Sequence, residues 1–519
     1  MTQAMEPEAA ALRDVELTTL DAEKQPMAGG VEEKNGLVKA APPKSAGGAA
    51  PGEEEDEEEE GEEGGGGGTG AKFTGLGKEE LVRVAGAAGW ARARAALLLL
   101  FWLGWLGMLG AAVAIVVRAP RCRPLPPDSW ARRGFLYRAP PGPFAHNLTG
   151  VQERLEHLVS LKVQGLVLGP LHPTEPDDAN STHLQSVEPA LGSLDDFARL
   201  LQAAKKKGLQ VLLDLTPNYR GTKAWFKPAV ANDPGFQERV KSALSFWLQQ
   251  GVAGFFLDGI EELNPAVVAE WRNITEQDRG DGVTRVLLGG TRLRDPPELQ
   301  ALLNTSALGL VLGPFVEALD PNCSSPAVVS GLFQFLNLGP HLAWSVGSPE
   351  RHMASVSRER LPQLLLLLAV LPGTPVLNYG DEVGLADSWP DQLTPMPWKL
   401  IDSSQKSDNS SEAWLLGLCK RLGALRARER SLALGDAEEV QAGSAAALLR
   451  VWDQSVRFLA VFNPEGRPLQ LSLRDPSLPP GATLRLSTHR PLDSDAHANL
   501  GNLTLLPYEG LLLSFPYTP

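Results

Sequence analysis

The sequence predicts an α/β fold, a (β/α)8 TIM barrel followed by an antiparallel β-sandwich domain and preceded by a single transmembrane helix. Short apolar strands alternate with helical stretches over about 300 residues, which is the pattern of such a barrel. Short strands with Pro/Gly turns follow it, and an uncharged 23-residue run precedes it. The predicted segments are a disordered acidic tail (1–71), a cytosolic juxtamembrane segment (72–94), the span (95–117), an extracellular neck (118–133), the barrel (134–432) and the β domain (433–519).

The amino-terminal segment is acidic. Residues 1–94 carry 20 Asp/Glu against 10 Lys/Arg, a net charge of −10 out of −14 for the whole chain. Most of the excess lies in "EEEDEEEEGEEGGGGG" at 53–68, which repels itself and buries nothing, so we expect it to be disordered. An acidic balance argues against nucleic acid as a partner, because phosphate binding needs basic patches. The following "KEELVRVAG" at 78–86 has the pattern of a short amphipathic helix at a lipid or protein surface.

The run at 95–117 is predicted to cross a membrane. As a helix it would span about 35 Å, enough for a hydrocarbon core of about 30 Å. With more than 90 residues ahead of it, we expect a retained anchor rather than a cleaved signal peptide. Small residues spaced four apart would let a second helix approach closely, although glycine and alanine are also common in membrane helices. These candidate packing positions are Gly104, Gly107, Gly110, Ala111 and Ala114.

The orientation of the span follows from glycosylation signals. Three arginines flank each side of the span, so the positive-inside rule does not decide the orientation. All seven Asn-x-Ser/Thr triplets lie carboxyl-terminal to the span, which predicts a cytosolic amino terminus and an extracellular carboxyl-terminal part, a type II arrangement. The candidate N-glycosylation sites are Asn147, Asn180, Asn273, Asn304, Asn322, Asn409 and Asn502.

An odd number of cysteines in an oxidising compartment leaves one thiol for another chain. Cys122 lies five residues beyond Val117, so it can reach only about 17 Å from the end of the span. A disulfide needs Cα atoms within about 7 Å, and a partner cysteine must therefore lie close to the membrane. A homodimer and a free thiol remain alternatives. Cys323, inside a sequon, and Cys419, on an apolar helical stripe, are expected to be ordinary core or surface cysteines.

The barrel strands are predicted from short apolar runs bounded by Gly, Pro and Asp. A helix at about 412–429 would close the ring, after which short strands begin. The eight predicted strands are 134–139, 165–171, 210–215, 254–258, 285–290, 309–314, 343–347 and 375–380.

Several of these segments resemble the α-amylase clan of glycosidases. "LPGTPVLNYGDEVGL" (371–385) and "TPMPW" (394–398) resemble its eighth-strand region, "DLTPNY" (214–219) its first signature, and "GVAGFFLD" (251–258) its nucleophile strand. The resemblance implies a retaining glycosidase, which uses one carboxylate as nucleophile and a carboxylic acid about 5 Å away as proton donor.

The resemblance does not extend to the residues that catalysis requires. It places the nucleophile at Asp258, but the arginine expected two positions earlier is Phe256, and Gly290 stands where the acid is expected. Loss of a general acid typically costs a factor of about 10²–10⁴ in rate. The resemblance therefore implies a barrel without catalytic residues, in which Asp258 is vestigial.

Further departures concern the rim of the barrel. Tyr219 stands in place of a histidine, and Pro349–Glu350 in place of an His-Asp pair. Only about 30 residues separate Asn218 from Gly251, so the small domain that the clan inserts there is missing and no ligands for its Ca²⁺ are evident. No metal and no cofactor are expected.

An anchored glycosidase barrel of this kind resembles the heavy-chain subunits of heteromeric amino-acid transporters. The similar stretches include "KFTGLGKEELVRVAG" (72–86), "RAPRCR" (118–123), "LKVQGLVLGPLH" (161–172), "EWRNIT" (270–275) and "ERSLALGD" (429–436). The resemblance implies an auxiliary subunit that binds a multi-spanning light chain through a disulfide at Cys122 and brings it to the plasma membrane. It also implies a link to integrin-dependent adhesion.

Two alternatives are weighed against this function. An extracellular α-glucosidase is favoured only by Asp258, and an adhesion receptor without a transporter predicts no disulfide-linked membrane partner.

Overall fold

The computed structural model describes residues 77–118, 123–126, 129–277, 280, 282–313, 331, 333–387, 393–404, 411–489 and 496–518. A short helix, α1 (Lys78–Ala85), precedes the long apolar helix α2 (Ala88–Arg118). Among the described residues, α2 is the one helix long and apolar enough to cross a membrane. It begins seven residues before the predicted span at 95–117, because alanine and arginine continue a helix beyond the apolar stretch.

Eight parallel strands close into a barrel in the order β1 to β8. The predicted barrel is therefore confirmed, and each predicted strand has its counterpart. The seventh strand is shorter than predicted, because the chain turns after Trp344 and Gly347 adopts a left-handed φ of 76°. The strands are β1 (Phe135–Ala139), β2 (Val163–Leu168), β3 (Gln210–Asp214), β4 (Gly254–Leu257), β5 (Val286–Gly290), β6 (Leu310–Gly313), β7 (Leu342–Trp344) and β8 (Thr374–Asn378).

The barrel interior is packed rather than open. Alternate residues of the strands, among them Leu136, Leu212, Phe256 and Leu288, form a buried apolar cluster inside the ring. The opposite faces of the strands pack against the surrounding helices in a larger cluster. Phe256 thus belongs to the core of the barrel.

The helices around the barrel begin and end at recognisable caps. In α9, the Asp233 carboxylate accepts the Phe236 N–H at 2.8 Å, and Gly251 ends the helix in the left-handed conformation. The helices are α3 (Ser129–Arg133), α4 (Pro141–Ala145), α5 (Leu148–Glu153), α6 (Leu155–Ser160), α7 (Leu194–Lys206), α8 (Pro228–Ala231), α9 (Pro234–Gln250), α10 (Pro265–Glu276), α11 (Pro296–Ser306), α12 (Met353–Val356), α13 (Leu361–Val370), α14 (Trp398–Ser404), α15 (Ser411–Arg428) and α16 (Arg430–Leu434). Single 3-10 turns lie at Ile260–Glu262, Leu336–His341 and Asp381–Val383.

The carboxyl-terminal part forms the predicted antiparallel β domain. A six-stranded sheet has the order β14-β13-β16-β11-β10-β9, and β12 pairs with β15. The predicted short strands of this domain correspond to β10, β11, β12, β13 and β16. The sequence did not predict β9, β14 and β15, because β9 and β14 are polar and β14 and β15 have only three residues each. The strands are β9 (Asp436–Val440), β10 (Ala446–Val451), β11 (Arg457–Phe462), β12 (Leu469–Leu471), β13 (Gly481–Ser487), β14 (His497–Asn499), β15 (Leu503–Leu505) and β16 (Gly510–Phe515). The domain boundaries themselves stay predictions.

Two buried arginines join the amino-terminal end of the barrel to its neighbours. Arg426, on α15, donates to the carbonyls of Ala369 (2.6 Å) and Leu371 (3.1 Å), and also to that of Gly373, just before β8. Arg450, on β10, donates to the Val370 carbonyl and, at 2.7 Å, to that of Gly435. Both side chains are fully buried, and burial lowers the pKa of each guanidinium. The loop before β8 is therefore held by charged donors from two elements.

Candidate functional site

A cleft lies at the carboxyl end of the barrel strands, where barrels of this type carry their active sites. One cavity of about 540 Å³ and an adjoining one of about 420 Å³ share five lining residues. These are Arg138, Tyr219, Asp258, Arg292 and Glu350. The cleft combines charges of both signs, and it is large enough for a small polar molecule.

Asp258 follows β4 directly, as the sequence predicts, and lines both cavities. Its backbone N–H donates to the Thr216 hydroxyl at 3.0 Å, and its carbonyl accepts the Trp225 indole N–H at 2.6 Å. Within the described chain, its carboxylate makes no hydrogen bond or ion pair. The backbone is therefore held in place while the carboxylate remains open to the cleft.

Gly290, the last residue of β5, has no room for a side chain. A Cβ atom there would lie 2.4 Å from the Asp258 Oδ1, 2.8 Å from the Phe256 Cζ and 2.9 Å from the Asp258 Cα. The ring of Phe256 and the backbone of Asp258 thus close the position where the resemblance expects a general acid. Phe256 and Gly290 fit each other, so the two departures from the glycosidase pattern form one packed unit.

A cation lines the same two cavities as Asp258, but it comes from β1. The Arg138 guanidinium stands over the Phe256 ring at 4.5 Å and pairs with the Asp214 carboxylate at 3.6 Å. Burial raises the pKa of Asp214 to about 6, with the Asp258 charge adding to the rise and Arg138 opposing it. The sequence analysis missed this pair. The signal for it was a lone arginine inside the otherwise apolar strand β1.

The end of the first signature (214–219) takes part in a hydrogen-bonded cluster at the rim of the barrel. The Tyr219 hydroxyl donates to the His172 carbonyl at 3.2 Å and contacts Glu188, and Arg220 binds both oxygens of Glu188 at 2.9 and 2.8 Å. Burial raises the pKa of Tyr219 to about 12 and lowers that of His172 to about 4. Tyr219 therefore anchors the loop and remains a neutral phenol. Glu350, from the loop after β7, is exposed at the cleft.

Asn218 is also used structurally. Its amide nitrogen donates to Asp177 at 2.9 Å and to the Lys223 carbonyl at 2.6 Å, while its oxygen accepts the Asp177 N–H at 2.9 Å. The Asn218 amide is thus occupied in joining two loops. The described residues contain no group of three or more His, Cys, Asp or Glu side chains that could hold a metal ion.

The other predicted site residues lie away from the cleft. Five of the sequon asparagines are exposed, and the Asn147 side chain also caps α5 by accepting the Gly150 N–H at 2.9 Å. Cys419 is a buried free thiol whose pKa is raised by burial, which agrees with a core cysteine. Gly104, Gly107, Gly110, Ala111 and Ala114 lie on α2, and their role in helix packing stays a prediction. Cys122, Cys323, Asn322 and Asn409 lie outside the described residues.

These features define a class of protein: an α-amylase-like barrel and β domain that follow a single apolar helix. The family model for the alpha amylase catalytic domain matches residues 142–239. An α-amylase from Anoxybacillus superposes with a TM-score of 0.61, at 17% identity, over 75% of this chain and 99% of that chain. This similarity concerns the fold alone.

The family follows from closer relatives. The model for the solute carrier family 3 member 2 N-terminus matches residues 62–137. The amino acid transporter heavy chain SLC3A2 of Mus musculus is 41% identical over 98% of both chains, and that of Rattus norvegicus is 40% identical over the same share. The chain belongs to the SLC3A2 family of amino acid transporter heavy chains. The resemblance to transporter heavy chains, and within them to the 4F2 cell-surface antigen heavy chain, is thereby confirmed.

Proposed function

We propose that this chain is the non-catalytic heavy-chain subunit of a heteromeric amino-acid transporter. In this role it binds a multi-spanning light chain through a disulfide at Cys122, stabilises it and brings it to the plasma membrane. The observation that carries the proposal is the 41% identity with a transporter heavy chain over 98% of both chains. A type II arrangement, with the amino terminus in the cytosol and the sequons outside, belongs to the same proposal.

The absence of catalysis is supported by the cleft. A retaining glycosidase needs a proton donor about 5 Å from its nucleophile. A side chain at Gly290 would collide with Phe256 and Asp258, and the cation expected at position 256 is replaced by a buried aromatic ring. Position 290 therefore supplies no proton donor for Asp258. The link to integrins that the family resemblance implies belongs to the same proposal.

The experiment is a non-reducing gel of membranes from cells that express the full chain. We expect a high-mass band that contains the chain and a multi-spanning amino-acid transporter, and that disappears in Cys122→Ser. Cys323→Ser is the matched control, because it removes a different thiol and keeps the Asn-x-Ser triplet at Asn322. A wild-type chain that migrates only as a monomer or homodimer would contradict the covalent link.

A second candidate function, α-glucoside hydrolysis, is favoured by the unpaired Asp258 carboxylate in the cleft. It is tested with the purified full chain and a chromogenic α-glucoside. Turnover that is lost in Asp258→Asn would establish an enzyme, and no turnover above the buffer rate is the result expected from the collision at Gly290.

A further inference from the structure

The neck is fixed to the β domain immediately after the predicted disulfide position. The Arg123 N–H donates to Asp453 at 2.8 Å, and its guanidinium donates to Asp436 at 2.7 Å. The guanidinium also lies 3.6 Å from the second oxygen of Asp453 and 5.7 Å from the centre of the Trp452 ring. We call Arg123, Asp436, Trp452 and Asp453 the neck anchor.

The structure of the β domain itself positions the two carboxylates of the neck anchor. Asp436 begins β9 and pairs with Val451 at the end of β10, which brings it beside the turn that carries Trp452 and Asp453. Asp453 has a φ of 44°, a left-handed conformation that aspartate tolerates. The contact of buried Arg450 with the Gly435 carbonyl fixes the residue before Asp436. Both carboxylates are thus placed by the ladder and the turn.

Several contacts act on one residue. An exposed ion pair alone contributes little to stability, because water screens it and both side chains lose freedom. At Arg123, however, a backbone N–H, two carboxylates and an aromatic ring hold the same residue. Because the backbone itself is bound, the position of the chain is restrained as well as that of the side chain.

Covalent geometry then limits where a disulfide partner can lie. Consecutive Cα atoms are about 3.8 Å apart, and the two Cα atoms of a disulfide lie within about 7 Å of each other. A cysteine bonded to Cys122 must therefore bring its Cα within about 11 Å of the Arg123 Cα, whatever path residues 119–122 take.

From this reach we infer that the neck anchor and the adjoining turn at 452–456 form the docking surface for the cysteine-bearing extracellular loop of the light chain. The inference rests on the proposed disulfide. Asp436 and Asp453 are positioning residues, which hold Arg123 and thereby the neighbouring cysteine against the β domain. The surface also offers an apolar contact, because Val456 is 42% exposed in the same turn.

The test places a photo-activatable phenylalanine analogue at position 456 of the full chain. The chain is co-expressed with an epitope-tagged multi-spanning amino-acid transporter that forms the disulfide-linked band with wild type. We expect ultraviolet light to produce an adduct with this transporter that survives reduction. Position 194 is the matched control, because Leu194 has a similar exposure of 39%. It begins α7, which follows the carboxyl end of β2. Asp436 of the neck anchor lies instead beside the loop before β8, at the amino-terminal end of the barrel.

The positioning role is tested with the double variant Asp436→Asn and Asp453→Asn. We expect the adduct from position 456 and the disulfide-linked band each to fall about threefold to tenfold, because two ion pairs are lost together. The thermal unfolding midpoint should change little, since the hydrogen bonds of Arg450 to the Val370 and Gly435 carbonyls remain and only the attraction between Asp436 and Arg450 is lost. Glu439→Gln, on the same strand β9, is the control and should leave both yields unchanged.

The outcomes separate the two proposals. If wild type forms no disulfide-linked transporter, the proposed function is wrong and this inference falls with it. If the bond forms, but position 456 gives no adduct or the double variant changes neither yield, the docking surface is wrong and the proposed function stands.

Discussion

The two ends of the barrel use their charged side chains differently. At the amino-terminal end, Arg426 and Arg450 are fully buried and donate to backbone carbonyls around the start of β8. At the carboxyl end, the Asp258 carboxylate faces a cavity of about 540 Å³ and makes no polar contact with the described chain. In barrels of this type the amino-terminal end generally supports stability and the carboxyl end supports chemistry. Here the amino-terminal end fits this division, while the carboxyl end has a cleft in which Gly290 leaves no room for a side chain beside Asp258.

The largest effect is expected at the amino-terminal end. Arg426→Leu should lower the free energy of unfolding by about 3–5 kcal/mol, because several buried carbonyls lose their charged donor. Urea denaturation of the full chain measures it. Arg428→Leu, two residues later and largely exposed, is the control and should change little. Equal stability of the two variants would show that the buried arginine does not hold this end together.

At the carboxyl end, we expect a pH dependence from Asp214. Its pKa is about 6 in the folded chain against 3.8 as the ordinary value, so the folded state binds the proton more tightly. The stability that this proton contributes is fully present below pH 3.8 and is lost as the pH rises through about 6. The free energy of unfolding of Asp214→Asn, relative to that of wild type, should therefore rise by about 3 kcal/mol between pH 3.5 and 7.5.

Unfolding of both proteins across this pH range measures the difference. A constant difference between wild type and Asp214→Asn would mean that the folded chain does not raise the pKa of this carboxyl. Asp258→Asn is a second useful variant, because the Asp258 charge is one cause of the raised pKa of Asp214. In this variant the pKa of Asp214 should be lower, and the pH range over which stability is lost should be narrower.

A smaller effect is expected from the closed acid position. Gly290→Ala should destabilise the fold by about 1–3 kcal/mol, since its Cβ meets Phe256 and Asp258 at less than 3 Å. Gly417→Ala, inside α15 with no neighbour within 4 Å, should instead stabilise by about 0.5–1 kcal/mol. Calorimetric melting of the two variants tests the contrast, and changes of the same sign would disprove it.

The smallest effect concerns the cap of α5. Asn147→Ala should cost about 1 kcal/mol, because the Gly150 N–H loses its acceptor. Asn147→Asp keeps an acceptor oxygen and removes the glycosylation signal, so it separates the cap from a glycan. If both variants unfold at the same temperature, the cap contributes nothing measurable.

The parts of the molecule that could be predicted are those encoded locally. The eight barrel strands were predicted, because apolar runs ending in Gly, Pro or Asp mark them without knowledge of neighbours. The resemblance singled out Gly290, but the contacts that leave no room for a side chain there, with the Phe256 ring and with Asp258, depend on the packing of β4 against β5. The Arg138–Asp214 pair joins β1 to β3, and the neck anchor joins residues more than 300 positions apart. Apart from the lone arginine in β1, no local pattern indicates either contact.

The fit between Phe256 and Gly290 also bears on evolution. A lineage that places a side chain at position 290 would need a smaller residue at 256 as well as a shift of Asp258, and the smaller residue would leave a cavity inside the barrel. Either change alone would weaken the fold. Selection for stability would therefore remove the intermediates, so this pair of positions resists change while the surfaces of the barrel are free to diversify.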